Sequence, residues 1–194
     1  MTAEGTVQVV TAELSRAASS TIDVLRQVRA DQMTAPTPCA SWDVHALINH
    51  FVGSARWWAA LLDGKDDGSA PDYAAGDYVA AYEESIRIAS AAFTAEGALE
   101  KVVRMEQGEF PGAMLLGFAA ADQFTHGWDL ARALGLSTAD LDPELAESLL
   151  GQAKLAITDA YRGPDGVAVF GPQRPAPAGA GPADRLAAFL GRSV

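Results

Sequence analysis

Two short stretches of this chain hold the residue types able to do chemistry. One is Thr37-Pro38-Cys39-Ala40-Ser41-Trp42-Asp43-Val44-His45-Ala46-Leu47-Ile48-Asn49-His50, and the other is Asp122-Gln123-Phe124-Thr125-His126-Gly127-Trp128-Asp129-Leu130-Ala131. All three histidines of the chain lie in them. Asp122 and His126 are four apart, so a helix projects both from one face. His45 and His50 point roughly 140° apart around a helix, so one shared ion can take only one of them. His50 shares a stripe with Leu47, Phe51 and Ser54, whereas His45 lies toward the polar side near Asn49. His50, Asp122 and His126 are therefore the candidate metal ligands. Two imidazoles and a carboxylate leave coordination positions open, as catalytic sites do and purely structural ones do not. Such a set suits zinc, and also nickel, iron or manganese.

The neighbouring groups are weighed in the same way. Asp129 lies three residues beyond His126, where it either orients a ligand or is a solvated or capping aspartate. Cys39 stands before a helix N-terminus, a position that activates thiols. Eleven residues of helix would nevertheless put it about 16 Å from His50, so it is read as a packed, inert side chain. The four tryptophans are read as core or pocket-wall residues. The acidic loop from Asp63 to Asp77 lacks the ordered ligand spacing of a calcium site and is read as solvated. No Gly-rich phosphate loop and no Gly-x-Ser-x-Gly elbow is present.

These residues need helices to position them. Apolar residues at Val10, Leu14, Ala17, Ala18, Ile22, Leu25 and Val28 predict a helix over Val7 to Asp31. Pro36 and Pro38 break it. Ser41 is the expected N-cap of a second helix from Trp42 to about Leu62. A third helix is expected from Tyr78 to Phe93, then, over Leu99 to Phe110, a short hairpin or extended loop in which Val102–Met105 and Glu109-Phe110 flank Gln107-Gly108. Pro111 opens a fourth helix that runs to about Leu134 and stops at Gly135. A fifth is expected from Pro143 to Tyr161. Residues 163–194 are expected to be a Gly/Pro-rich surface tail, with a short helix from Asp184 to Leu190 and Val167-Ala168-Val169-Phe170 as its apolar piece. The expectation is an all-α four-helix bundle with an additional C-terminal helix, residues 1–194 forming one domain, and the ion held between the second and fourth helices.

Composition narrows the function. Net charge is −11, against nucleic acid and against an anionic membrane surface. At 49% hydrophobic residues a sizeable core can be buried. One cysteine allows no internal disulfide, and no signal peptide or membrane span is visible. A cytoplasmic protein is expected. Adjacent Trp57 and Trp58 leave an apolar face that suggests a homodimer.

At the two stretches the chain resembles the DinB-like metal-binding superfamily. Within it the chain is similar to the actinobacterial branch that includes the N-terminal domain of mycothiol-dependent maleylpyruvate isomerase. Thr37-Pro38-Cys39, Ser41-Trp42-Asp43-Val44 and His50 carry the resemblance, with His126-Gly127-Trp128-Asp129-Leu130-Ala131. Phe170-Gly171-Pro172, Asp184-Arg185-Leu186 and Gly191-Arg192 add to it. The resemblance implies a divalent ion, zinc first and nickel next, on His50, Asp122 and His126, with mycothiol as co-substrate. It also implies a homodimer. The isomerase has glutamate where this chain has Asp122, and an additional C-terminal domain that supplies substrate-binding groups. This chain ends without that domain, so maleylpyruvate itself is not the expected substrate. The expected function is a metal-dependent transferase or isomerase that joins a small-molecule thiol to an electrophile. The alternatives are a non-catalytic metal- or small-molecule-binding stress or detoxification protein and, third, metal-dependent hydrolysis.

Overall fold

The computed structural model describes residues 3–65, 70–105, 108–164, 167–168 and 170–194, with the side chains of residues 3–10 excluded. The expected roles of Val7 and Val10 side chains, residues 66–69 of the acidic loop, Gln107 and Val169 lie outside this set. Among the described residues there are six α-helices: α1 (Ala3–Leu25), α2 (Val44–Asp63), α3 (Tyr78–Thr94), α4 (Gly112–Ala133), α5 (Pro143–Ala156) and α6 (Pro182–Phe189). One antiparallel hairpin, β1 (Val102–Met105) with β2 (Gly108–Pro111), leads directly into α4. Among the described residues no helix is long and apolar enough to cross a membrane.

α1 packs against α4 and α3, and α2 packs against α3 and α4, which closes a four-helix ring. Its centre is filled by Leu14, Leu25, Leu47, Ile48, Phe51, Tyr82, Phe93, Leu115, Leu116, Phe124 and Trp128, all fully buried. Burying each large apolar side chain contributes about 1.5–3 kcal/mol. Phe51 and Tyr82 meet edge to face at 5.1 Å, joining α2 to α3. Gly127 lets α1 press closely onto α4, because a Cβ there would overlap Thr21 Oγ1. The Thr21 hydroxyl donates to the Gln123 carbonyl at 2.9 Å across the same contact. α1 and α4 are thus in close contact beside His126.

Several boundaries differ from expectation. α1 stops at Leu25 rather than Asp31, and Ala30–Gln32 form a separate 3₁₀ turn. Gln32 Oε1 accepts from the Arg29 amide and Asp31 takes the Arg29 guanidinium, local bonds that compete with a helical ladder. α2 is capped by Asp43, not Ser41: the Asp43 carboxylate accepts from the Ala46 amide at 2.9 Å. α5 ends at Ala156 rather than Tyr161, where the β-branched pair Ile157-Thr158 takes extended backbone. Gly135 at φ 70° ends α4 as expected, with Leu136 N–H donating back to the Ala131 carbonyl.

The expected surface tail needs the largest correction. Residues 171–179 are mostly exposed, but α6 is not a surface helix. Ala183, Leu186, Ala187, Phe189 and Leu190 are buried where α6 packs on α5 and α4. Asp184 accepts hydrogen bonds from Trp128 Nε1 at 2.8 Å and Thr138 Oγ1 at 2.7 Å. Arg162 ties the preceding segment down by donating to the Gly171 and Phe189 carbonyls.

Candidate metal centre

His50 comes from the middle of α2, and Asp122 and His126 from successive turns of α4. Both helices turn these side chains into one gap. Asp122 Oδ1 lies 3.4 Å from His126 Nε2 and 3.8 Å from His50 Nε2, and the three atoms are all within 4.8 Å of one another. His45 points elsewhere, to Asp72 at 3.1 Å and Asn49 at 3.4 Å, as its helical angle requires. The side chains of His50, Asp122 and His126 are 35%, 21% and 8% exposed, so the gap opens on the His50 side.

Each group's remaining heteroatoms are held in place. Asp122 Oδ2 accepts from Ser54 Oγ at 2.7 Å and Gln123 Nε2 at 3.0 Å. Ser54 lies one turn beyond His50 on α2. His126 Nδ1 donates to Asp129 Oδ2 at 3.0 Å, which leaves Nε2 to face Asp122 and His50. Trp42 stacks on the His50 ring at 4.2 Å and 30°, forming one wall.

Charge in the gap is finely arranged. Burial pushes the Asp122 carboxyl up, but the imidazoles of His126 and His50 outweigh it and hold it well below the usual range. Burial pulls the His126 imidazole down, yet hydrogen bonds to Asp122, Asp129 and Cys39 hold it well above its ordinary value. Asp129 is wholly buried; its burial cost is outweighed by Arg192 and His126, which bring it down to about 2. The gap between Asp122 and His126 therefore favours a positive charge, whether a proton or a metal ion.

Cys39 stands beside this gap rather than 16 Å away. Residues 33–43 are not helical. Thr37 Oγ1 donates to the Trp42 carbonyl at 2.8 Å, Trp42 N–H donates to the Cys39 carbonyl at 2.9 Å, and Val44 N–H reaches back to Ala35. This doubled-back turn lays Cys39 Sγ 3.2 Å from Asp129 Oδ2. Cys39, His126 and Asp129 make a second group of ligand-type atoms. Both Asp129 oxygens are taken by Arg192, Nε to Oδ1 at 3.2 Å and Nη2 to Oδ2 at 3.0 Å. The second group is therefore an ion-pair network, not an open cation site.

The model of the mycothiol maleylpyruvate isomerase N-terminal domain matches residues 14–131, most of the chain and all the residues above except Arg192. The chain belongs to this family. Two uncharacterized proteins of Mycobacterium tuberculosis, MT0763 of strain CDC 1551 / Oshkosh and Rv0738 of strain H37Rv, are each 39% identical to it over 185 residues. The matches cover 92% of this chain and 95% of each relative. No solved structure matches significantly. Membership of the mycothiol maleylpyruvate isomerase N-terminal domain family makes this a mycothiol-related, metal-binding type of domain.

Proposed function

We propose that His50, Asp122 and His126 hold one divalent transition ion, zinc first and nickel next, and that the site activates a small thiol of the mycothiol type toward an electrophile. The reaction is a thiol transfer or a thiol-assisted isomerisation. A homodimer in a cytoplasmic setting is part of this reading. The observation that carries it is the division of labour among the heteroatoms. Asp122 Oδ1 and two Nε2 atoms converge, while Asp122 Oδ2 and His126 Nδ1 are bonded outward. Donors about 2.0–2.1 Å from one tetrahedral ion lie roughly 3.3 Å apart, close to the 3.4 and 3.8 Å separations here.

A divalent ion bound there supplies Lewis acidity, which lowers a thiol's pKa and yields thiolate at neutral pH. The protein's own groups do the rest. Ser54 and Gln123 fix the Asp122 carboxylate, Asp129 keeps the proton on His126 Nδ1, and Trp42 shields His50 from one side. The more exposed His50 side admits the ligand.

Elemental analysis of protein purified without added metal should find about one transition ion per chain. His126→Ala should lose most of it and His45→Ala should keep it; equal retention by both sinks the assignment. In cobalt-substituted protein, mycothiol should add an intense near-ultraviolet charge-transfer band. The band must persist in Cys39→Ser, a necessary control because Sγ lies beside His126. No band at saturating thiol favours the non-catalytic binding protein instead.

A further inference from the structure

Arg192 is 63 residues from Asp129 in the chain and lies outside the stretch matched by the family model. Its guanidinium is committed, not free. Nε and Nη2 grip the two Asp129 oxygens, and Nη1 donates to the Leu190 carbonyl at 3.2 Å. Its side chain is only 15% exposed, which leaves it unsuited to catching an anionic substrate. Asp129 Oδ2 receives three donors: His126 Nδ1, Arg192 Nη2 and Cys39 Sγ.

We propose that Arg192 is a positioning residue for the candidate metal site, acting through Asp129 on His126. This rests on the reading of His50, Asp122 and His126 as ligands. A carboxylate turns easily about its last torsion, and the hydrogen bonds from His126 and Cys39 both fall on Oδ2, which leaves Oδ1 and so the plane unfixed. The planar two-pronged contact from arginine does. With Asp129 locked, His126 Nδ1 must donate to Oδ2, and Nε2 is held toward Asp122 Oδ1. Partners of this kind behind a ligand are typically worth 10–100-fold in metal affinity. The guanidinium is itself aimed by the backbone. Gly191 turns at φ 98°, and a Cβ there would come 2.7 Å from Gly171 Cα. Docking of α6 on α4 therefore reaches the ligand His126 through two side chains.

The test uses cobalt(II) alone as the probe of the full chain. Arg192→Met should weaken cobalt binding by about 10–100-fold. Arg192→Lys, which keeps a cation over Asp129 and so protects the fold, should lose less. Asp129→Asn should resemble Arg192→Met. The double variant should be no weaker than Asp129→Asn, because the arginine reaches His126 chiefly through that carboxylate at 3.0 Å, its contact with Cys39 Sγ being longer at 3.7 Å. A second readout needs no metal. The His126 Nδ1 proton, assigned by its loss in His126→Ala, should be slow to exchange in wild type and in Arg192→Lys, and fast in Arg192→Met. Wild-type cobalt affinity with a protected proton in Arg192→Met overturns the proposal, as do additive losses in the double variant. If wild type takes no cobalt, or His126→Ala takes it equally well, the metal reading fails. The proton comparison then decides the role of Arg192 by itself.

Discussion

At the residue scale, Asp129 is the group on which most depends. It is completely buried and bonded to His126, Arg192 and Cys39. Its folded-state pKa, brought down to about 2 by Arg192 and His126 against the cost of burial, lies below the unfolded value of about 3.9. The stabilisation is therefore fully present above about pH 4 and is lost as pH falls through 2. Its size is on the order of 2 kcal/mol. Asp129→Asn lacks this titration but leaves the Arg192 charge unpaired, at a cost of about 3–5 kcal/mol at neutral pH. Urea unfolding of metal-free protein should show the gap between wild type and Asp129→Asn narrowing from pH 4 to pH 2. A constant gap would show that Asp129 is not ionised in the folded state. The three candidate ligands were legible in the sequence because a helix's 100° step is a rigid rule. Ser54 stands on the stripe of His50 in the sequence, but its bond to Asp122 is seen only in the fold. Arg192 was not legible: nothing in Gly191-Arg192 signals a partner on another helix.

At the scale of elements, the middle of the chain is the most legible, whereas α1 ends at Leu25 although its periodic pattern runs on to Val28. α2, α3, α4 and the hairpin fall within a residue or two of their expected bounds, and Gly135 stops α4. Three of the differences come from side chains that bind their own neighbourhood. Asp43 outcompeted Ser41 as a cap, Gln32 and Asp31 held Arg29 in a 3₁₀ turn, and Thr37 folded the 37–42 segment into a compact turn. That last miss displaced Cys39, because a distance of 16 Å holds only if the residues between are helical. Two glycines set element packing, and each yields a test. Gly127→Ala drives a methyl into Thr21 Oγ1 on α1, and overpacking of this kind costs about 1–3 kcal/mol. Thermal unfolding should show it. Gly191→Ala combines a positive φ with backbone crowding against Gly171. It should destabilise α6 docking by more than about 1 kcal/mol and accelerate amide exchange in α6 more than in α2.

On the scale of the whole molecule, a site between two bundle helices links ligand binding to global stability. An ion that binds the folded state at 100 times its dissociation constant adds about 2.7 kcal/mol. Chelation should lower the melting temperature of wild type and leave His126→Ala unchanged. Equal shifts in both would place the ion elsewhere. Trp57 is 37% exposed beside the mostly buried Trp58, stacked edge to face at 4.7 Å. With Trp57 on the outer side of α2, light scattering should give about twice the 20.2 kDa chain mass; a monomer at all concentrations rejects the dimer.

The single thiol also has a use beyond chemistry at the site. Cys39 Sγ lies between Asp129 on α4 and Arg192, whose Nη2 is 3.7 Å away, and the chain has no second cysteine to confuse its signal. An alkylating reagent therefore meets a natural latch sensor. If segment 190–194 must lift before the sulfur is reached, labelling slows to the rate of that opening and stops depending on reagent concentration. Cys39 is half-buried, so Arg192→Met, which frees that segment from Asp129, should label faster than wild type. Mass spectrometry of a labelling time course would thus follow the cover that segment 190–194 gives the sulfur without an engineered probe.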